Sequence, residues 1–282
     1  MREVKFKSYA KINLSLSVIK KKKSGLHQIE SLVTFTKLFD EIKIQENKDK
    51  RHIVKFNGKF SSKINKKNTV NKLLKILDQE ELLKNKKFII KVKKNIPPKS
   101  GLGGGSMNAA SIINFFKTKS FININQKKLL EISKAIGSDV ELGLKQKNTI
   151  LFSNGKIRRN PFNLNLFVII VRPNFGCSTK EIYKNVKKFS KKQLISSNKK
   201  IFIIKNILKS KNDLEDIVLK KYPKTQKLKK IMYNLPKVLF VRMTGSGSCF
   251  VAYFKSKNAS INASKILKKK YKNYWCVTSK TI

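Results

Sequence analysis

A run of small residues in the first half of the chain has the composition of a phosphate-binding loop. It reads Pro97-Pro-Lys-Ser-Gly-Leu-Gly-Gly-Gly-Ser-Met107, with a predicted strand before it and a predicted helix after it. Adjacent glycines let the backbone approach an anion closely, and the helix start adds unpaired N–H groups and a positive dipole end. A side chain at Gly104 is therefore expected to block that approach and to resist a positive φ. The alternative is a glycine-rich turn that only packs tightly.

Two other short segments and one acid could also do chemistry. Thr244-Gly-Ser-Gly247 lies between two predicted strands, where a tight hairpin explains it equally well. Lys11 and Asn13 alternate with apolar residues, so they lie on the same polar face of a strand. A lysine in such a place usually faces solvent. Asp139 follows Gly137 at a helix end, where its carboxylate either points into a cleft or caps the helix.

The elements that must position these residues follow from hydrophobic periodicity. Alternation predicts strands at 12–18, 32–38, 41–45, 52–57, 88–92, 166–172, 238–243, 249–254 and 274–279. Helical spacing predicts helices at 70–77, 109–116, 126–136, from 178 onward, and at 213–220, 224–234 and 258–270. Asn154-Gly155 marks a hairpin. The order of elements in the second half suggests a ferredoxin-like α+β domain.

Composition excludes several classes of protein. Of the 282 residues, 40% are hydrophobic, which is enough for a packed core and too much for a disordered tail. No stretch approaches the ~20 apolar residues of a membrane-spanning helix. Lysines interrupt every apolar run near the N-terminus, which argues against a signal peptide. The three cysteines are odd in number and far apart, so we predict a cytoplasmic protein without a disulfide framework or a zinc site.

The charge balance is strongly basic. There are 65 Lys and Arg residues against 16 Asp and Glu residues, a formal net charge of +49. The lysines are spread along the whole chain, whereas nucleic-acid-binding proteins concentrate charge on one face or tail. Only six of the 65 are arginines, the side chains that bind phosphate through two parallel hydrogen bonds. We therefore predict no specific nucleic-acid partner and no membrane partner; a basic RNA- or ribosome-binding protein is the alternative from another class.

Six short segments together resemble the GHMP kinase superfamily, which is named for galactokinase, homoserine kinase, mevalonate kinase and phosphomevalonate kinase. In chain order they are residues 10–14, 25–28, 101–110, 137–140, 212–215 and 242–247. Within the superfamily they are most similar to the branch whose substrate carries a cytidine diphosphate group. Gly25-Leu-His27 and the triple glycine 103–105 favour that branch. Another small-molecule kinase of the homoserine or mevalonate type remains an alternative.

The resemblance implies an α/β (α+β) fold of two domains. Residues 1–158 form an N-terminal, ribosomal-protein-S5-like domain with the glycine-rich ATP loop, and residues 159–282 form a C-terminal, ferredoxin-like domain. The implied reaction is ATP-dependent phosphorylation of the C2 hydroxyl of 4-diphosphocytidyl-2-C-methyl-D-erythritol, in the non-mevalonate isoprenoid pathway. ATP is the co-substrate and Mg²⁺ accompanies it. The implied enzyme is a monomer or a homodimer.

The resemblance also assigns roles to individual residues. Lys11 and Asp139 match the catalytic pair; a carboxylate kept ionised by an ammonium group can take the proton of a tertiary alcohol. ATP binding is assigned to Pro97, Pro98, Lys99, Ser100, Gly101, Leu102, Gly103, Gly104, Gly105, Ser106 and Met107. Substrate binding is assigned to Asn13, His27, Thr179 and Tyr183. The third motif comprises Thr244, Gly245, Ser246 and Gly247.

Two positions depart from the family's pattern. Leu26 stands where relatives usually have tyrosine, so one aromatic wall of the cytosine slot is lost. Tyr183 is expected to provide the other wall, unless it packs in the core, and His27 matches a cytidine-contacting histidine, unless it is only a surface residue. Met107 stands where relatives commonly have a second serine. We therefore expect phosphate oxygens, water and Ser106 to bind Mg²⁺, with no certain protein ligand.

Overall fold

The computed structural model describes residues 1–192, 194 and 201–282. The strands are β1 (Val4–Lys21), β2 (His27–Asn47), β3 (Ile53–Asn57), β4 (Lys87–Lys93), β5 (Thr149–Leu151), β6 (Ile157–Arg159), β7 (Phe167–Arg172), β8 (Phe240–Met243), β9 (Phe250–Phe254) and β10 (Trp275–Lys280). The helices are α1 (Thr69–Gln79), α2 (Gly104–Thr118), α3 (Gln126–Ile136), α4 (Val140–Gly143), α5 (Thr179–Lys184), α6 (Ile204–Lys209), α7 (Glu215–Lys221), α8 (Pro223–Tyr233) and α9 (Lys257–Lys270). None of these helices is both long enough and apolar enough to cross a membrane.

The described chain forms two compact units that interleave along the sequence. Unit 1 comprises Met1–Lys11, Leu38–Pro98 and Gly103–Gln146. Unit 2 comprises Ile12–Lys37, Lys99–Leu102 and Lys147–Ile282. The long strands β1 and β2 therefore contribute residues to both units. The predicted boundary between residues 158 and 159 divides the chain once along the sequence, whereas these units interleave. The units therefore do not test that boundary, which stays a prediction.

Unit 1 is a sheet covered by helices. Strand β4 pairs antiparallel with the second half of β2, with Ile42 opposite Val92, and parallel with β3, with Val54 opposite Ile90. The buried sides of α1, α2 and α3 pack on the sheet and supply most of an apolar core that includes Phe116. Helix α1 begins after Asn68, whose side chain caps it by accepting hydrogen bonds from the N–H groups of Val70 and Asn71.

Unit 2 contains the predicted ferredoxin-like arrangement. Its four-stranded sheet has the order β10-β7-β9-β8, and each neighbouring pair is antiparallel. Helices α5 to α8 connect β7 to β8, and α9 connects β9 to β10. The sequence Ser178-Thr-Lys-Glu181 has the spacing of a capping box, and the Ser178 hydroxyl does accept a hydrogen bond from the Glu181 N–H at the start of α5. The hairpin at Asn154-Gly155 is confirmed, because β5 and β6 pair antiparallel on either side of it.

Strand β1 differs from its sequence prediction in one respect. Alternation predicted a polar face, but Lys11, Asn13 and Ser15 are all buried, with 4%, 4% and 6% of their surfaces exposed. These side chains have protein partners instead of water; the Ser15 hydroxyl, for example, accepts a hydrogen bond from the Leu32 N–H. The short helices α4 and α6 were not predicted, because six residues or fewer give little periodicity.

Candidate active site

The first turn of α2 keeps its N–H groups available for an anion. Helix α2 begins at Gly104, and Gly103 before it is left-handed with a φ of 68°. No side chain caps the helix, and no acidic residue lies in its first turn. Unpaired N–H groups at a helix start attract negative charge. The predicted phosphate loop therefore has the local geometry that its sequence indicated.

Gly104 has a different role from the predicted one. The left-handed glycines of this segment are Gly101 and Gly103, whereas Gly104 lies within the helix. A Cβ at Gly104 would lie 2.9 Å from Cγ2 of Ile96 and 3.3 Å from Nζ of Lys94. The expectation of a positive φ at Gly104 is wrong. Close packing against the end of β4 is what excludes a side chain there.

Lys11 and Asp139 form an ion pair in unit 1. Lys11 Nζ lies 3.2 Å from Asp139 Oδ2, and the side chains are 5% and 32% exposed, respectively. Asp139 is at the N-cap position of α4, but its side chain makes no capping hydrogen bond. The solvent-facing alternative for Lys11 and the helix-capping alternative for Asp139 are therefore both wrong. The pair combines a buried ammonium with a carboxylate that solvent, and hence a substrate, can reach.

A buried polar network that the sequence did not predict lies beside this loop. Asp40 is fully buried, and its carboxylate pairs with Lys94 Nζ. It also accepts hydrogen bonds from the N–H groups of Asn95 and Ile96 and from Asn108 Nδ2, at 2.8, 2.9 and 3.0 Å. Lys94 looks like one of many surface lysines in the sequence. The available signal was alternation, because Lys94 continues the buried side of β4.

The residues after the triple glycine are divided between core and surface. Met107 is fully buried, and its Sδ would lie 3.0 Å from a Cβ at Gly143. It occupies a core position between α2 and α4, which explains why an apolar side chain is tolerated there. Ser106 is partly exposed and carries the hydroxyl group of this turn. The neighbouring Gly105 carbonyl accepts a hydrogen bond from the Thr69 hydroxyl at 2.7 Å.

In unit 2, the third motif holds the beginning of the glycine-rich segment. The Thr244 hydroxyl donates to the Gly101 carbonyl at 3.1 Å and accepts from the Asn13 N–H at 3.0 Å. A Cβ at Gly101 would lie only 2.0 Å from the Thr244 carbonyl oxygen. Asn212 Nδ2 fixes the turn itself by donating to the carbonyls of Met243 and Gly245 at 2.9 and 2.8 Å. The structure thus brings Asn13, Gly101 and Thr244 together.

The predicted substrate residues of unit 2 form two small clusters. The ring of His27 lies 5.1 Å from that of Tyr183 and 6.4 Å, nearly parallel, from that of Phe189. Tyr183 is half-buried: it packs against the core of unit 2 and also contacts the ring of His27. The two alternatives for Tyr183 are thus combined in one residue. Leu26 is 68% exposed. Separately, the hydroxyl groups of Thr179 and Ser246 are hydrogen-bonded at 2.9 Å.

The environment of His27 favours its neutral form. Burial lowers the pKa of His27 below its ordinary value of 6.5, and the positive charge of Lys21 lowers this pKa further. A neutral imidazole has one donor and one acceptor nitrogen. It can therefore hydrogen-bond to the edge of a nucleobase as well as contact aromatic rings.

Phe189 was missed by the sequence reasoning, because nothing in its local pattern distinguishes it from a loop residue.

Comparison with known proteins identifies the class. The sequence model of the GHMP kinases N terminal domain matches residues 68–147, and that of the GHMP kinases C terminal domain matches residues 190–273. A 4-diphosphocytidyl-2-C-methyl-D-erythritol kinase from Pelagibacter ubique (strain HTCC1062) is 51% identical over 282 residues, which is 100% of both chains. The chain therefore belongs to the GHMP kinases and, among them, to the family of 4-diphosphocytidyl-2-C-methyl-D-erythritol kinases.

Solved structures confirm the fold of this class. A crystal structure of 4-(cytidine 5'-diphospho)-2C-methyl-D-erythritol kinase has a TM-score of 0.77 and 21% identity, covering 98% of this chain and 99% of the other. Homoserine kinase from Cytophaga hutchinsonii has a TM-score of 0.70 and 17% identity, covering 100% and 95% of the two chains. The predicted two-domain GHMP kinase fold is confirmed. Since kinases of different substrates share it, the fold alone does not select the substrate.

Proposed function

We propose that this chain transfers the γ-phosphoryl group of ATP to the C2 hydroxyl of 4-diphosphocytidyl-2-C-methyl-D-erythritol, with Lys11 and Asp139 as the catalytic pair. The products are the 2-phosphate and ADP, and the reaction is a step of isoprenoid biosynthesis. The observation that carries the proposal is the ion pair at 3.2 Å, in a chain that is 51% identical over its full length to a kinase of that name.

The two residues suit the difficulty of the reaction. A tertiary alcohol is a weak nucleophile and must lose its proton as its oxygen attacks phosphorus. Asp139 accepts that proton while the new O–P bond forms and the bond between the γ-phosphorus and the ADP oxygen breaks. Lys11 keeps the carboxylate ionised and stabilises the negative charge that develops on the attacking oxygen. Burial strengthens this effect, since water does not compete for the Lys11 ammonium.

The nucleotide is assigned to the glycine-rich segment, residues 97–107. The uncapped first turn of α2 supplies N–H donors for phosphate oxygens. The ion pair of Asp40 and Lys94, and the hydrogen bond from the Ile96 N–H to Asp40, fix the backbone between β4 and this segment. Mg²⁺ neutralises phosphate charge when it is bound with ATP. The donor set fits such a loosely held ion, because the described residues contain no group of three acidic, His or Cys ligands, and Ser106 provides one hydroxyl group.

The cytidine end of the substrate is assigned to His27, Tyr183 and Phe189. Aromatic rings stack on a nucleobase at little cost in side-chain entropy, and a neutral His27 can hydrogen-bond to the edge of the base. Phe189 compensates for the tyrosine that Leu26 replaces, because it provides a second aromatic ring near His27, 6.4 Å away. We place the reaction in the cytoplasm, where ATP is available and where the free cysteines Cys177, Cys249 and Cys276 stay reduced.

An assay of ADP release tests the substrate assignment. The purified chain is incubated with Mg-ATP and with 4-diphosphocytidyl-2-C-methyl-D-erythritol, homoserine, mevalonate or galactose in parallel. We expect turnover with the cytidyl substrate at least 10²-fold above that with the other three, and a product phosphorylated at C2 by phosphorus NMR. Comparable or faster turnover of homoserine or mevalonate would overturn the assignment. The Asp139→Asn variant is the control for contaminating kinases, since it should be nearly inactive with every substrate.

A further inference from the structure

Arg172 is a buried cation whose hydrogen-bonding groups are poorly satisfied. It ends strand β7 in unit 2 and is only 7% exposed. Within the described residues its one hydrogen bond runs from Nη1 to the carbonyl of the adjacent Pro173, at a long 3.4 Å. Its Nε is buried and makes no hydrogen bond to any residue that the structure describes. A guanidinium group has five N–H donors, so most of the hydrogen-bonding capacity of Arg172 is unused.

No acidic side chain in the described ranges forms an ion pair with Arg172. In the described part of the chain Arg172 makes no ion pair, and residues 193 and 195–200 contain no acid. Glu181 is close enough to Cys177 to act on it electrostatically, but the carboxylate of Glu181 forms an ion pair with Lys221. Arg242 of the same unit shows the contrast. It is equally buried, yet its Nη1 donates to the carbonyls of Leu14 and Ile207 at 2.6 and 2.9 Å.

The backbone and Cβ of a second cationic residue, Lys99, lie beside the same place. A Cβ at Gly176 would lie 3.3 Å from Nη2 of Arg172, 3.1 Å from Cβ of Lys99 and 3.0 Å from the Lys99 carbonyl oxygen. A side chain at Gly176 would therefore crowd both residues, and its absence leaves the Arg172 guanidinium close to the backbone of Lys99, the third residue of the glycine-rich segment. Lys99 itself is exposed and has a left-handed φ of 50°. Among the described residues the buried Arg172 guanidinium has no acidic partner, and a neighbouring residue carries a second cationic side chain, which together indicate a site for an anion.

We propose that Arg172 and Lys99 bind a phosphoryl group of a bound reactant at the start of the glycine-rich segment. The proposal rests on the proposed function, because that reaction has two phosphorylated reactants, ATP and the cytidine diphosphate ester. The planar guanidinium of Arg172 matches two phosphate oxygens, and Lys99 adds a point charge from the solvent side. In the absence of the ligand, Arg172 is a buried charge that lowers the stability of the fold; the ligand removes that cost.

Binding and melting measurements on single variants test this role. Arg172→Met keeps the length of the side chain and removes its charge, Arg172→Lys keeps the charge without the fork, and Lys99→Met removes the outer cation. Calorimetric titration with ATP and, separately, with cytidine 5'-diphosphate shows which reactant is bound. We expect Arg172→Met to weaken one of these two ligands by roughly 10–150-fold, with Arg172→Lys intermediate and the other ligand changed less than threefold.

The melting temperature without ligand separates a binding role from a structural one. We expect Arg172→Met to melt at or above the wild-type temperature, whereas the matched control Arg242→Met should melt lower, because it removes the hydrogen bonds that Arg242 donates to the carbonyls of Leu14 and Ile207. Unchanged affinity for both ATP and cytidine 5'-diphosphate would overturn the proposal, as would melting of Arg172→Met as low as that of Arg242→Met. If Arg172→Met does not fold, unchanged affinities in Arg172→Lys and Lys99→Met overturn it equally. Wild-type protein that bound these ligands but did not phosphorylate the cytidyl substrate would contradict the proposed function and leave this site standing.

Discussion

The backbone of Gly103 lies directly against the side chain of Lys11. A Cβ built on Gly103 would lie 2.8 Å from Cγ of Lys11, closer than such atoms approach in proteins, and 3.1 Å from Cε, which is a tight contact. The absence of a side chain at Gly103 therefore leaves room for the aliphatic stem of Lys11. That room allows the ammonium group to lie beside Asp139. Gly103 is also the N-cap residue of α2, with a left-handed φ of 68°. One glycine serves both the phosphate loop and the catalytic lysine.

Gly103→Ala is expected to reduce kcat by about 10²-fold, because displacement of a catalytic group by about 1 Å has that effect. Gly155→Ala is the matched control: Gly155 also has a positive φ, of 84°, but a Cβ there would meet nothing within 4 Å. Both variants should lose ~1–2 kcal/mol of stability from the left-handed backbone. Kinetic and thermal measurements on the pair separate the two effects. Equal kcat values in the two variants would contradict the contact's role.

Asp139→Asn keeps the shape of the side chain and removes the proton acceptor. We expect kcat to fall by roughly 10²–10⁴-fold, the usual contribution of a positioned base, with little change in ATP affinity. Glu141→Gln, two residues further on in α4, is the control and should retain most activity. Steady-state rates and nucleotide titration provide the comparison. A folded Asp139→Asn protein with near-normal turnover would rule out Asp139 as the base.

Lys11→Met tests whether the pair acts as one unit. Methionine preserves the aliphatic stem that lies along Gly103, and Asp139 remains 32% exposed to water, so we expect the melting temperature to stay near that of the wild type. Turnover should fall by about 10²-fold or more, since removing a donor that stabilises developing charge has that effect. The Lys11→Met, Asp139→Asn double variant should be little slower than the slower single variant. Fully multiplicative losses would show that the two side chains act independently.

Phe189→Ala is expected to raise the KM for the cytidyl substrate and to leave the KM for ATP unchanged. One base–aromatic stack contributes ~1–3 kcal/mol, which corresponds to roughly a 5–150-fold change. Tyr183→Ala should have an effect in the same range, with an added loss of stability because Tyr183 also packs on the core. Phe162→Ala is the control, since Phe162 is exposed to 45% and Phe189 to 47%. If Phe189→Ala behaves like the control, the second stacking ring is elsewhere.

The pKa of His27 predicts a pH dependence of substrate binding. Because this pKa is lowered in the folded protein, His27 stays neutral as the pH falls through 6.5, where an ordinary histidine takes up a proton. The KM for the cytidyl substrate should therefore stay constant to below pH 6.5 and rise only at lower pH. The unfolded chain binds this proton first, so His27 also makes the fold less stable as the pH falls through that window. His27→Gln should have a raised but flat KM profile; the same low-pH rise in this variant would assign it to another group.

The sequence predicted the parts of the fold and site that follow from local pattern. The glycine-rich loop, the middle of β1, the hairpin at Asn154-Gly155 and the cap at Ser178 are each specified by neighbouring residues. The full lengths of β1 and β2 were not predicted, because β1 extends beyond 12–18 and β2 joins the two runs expected at 32–38 and 41–45. Contacts between distant residues were beyond it. That Gly104 is restricted by Ile96, that Lys94 is buried beside Asp40 and that Phe189 lies next to His27 depend on tertiary packing. In a chain with lysine at so many surface positions, composition hides the few lysines that are buried.

The buried pair of Asp40 and Lys94 has a consequence for how this protein can change over generations. Replacing either residue alone leaves a buried charge without its counter-ion, at a cost of roughly 3–5 kcal/mol, a large part of the stability of a domain. The adjacent Lys93 is exposed and has no such constraint. In descendants of this sequence, positions 40 and 94 should therefore vary only together, whereas position 93 should drift freely with the base composition of the genome. Two neighbouring lysines that look alike in the sequence thus differ in the substitutions that they can accept.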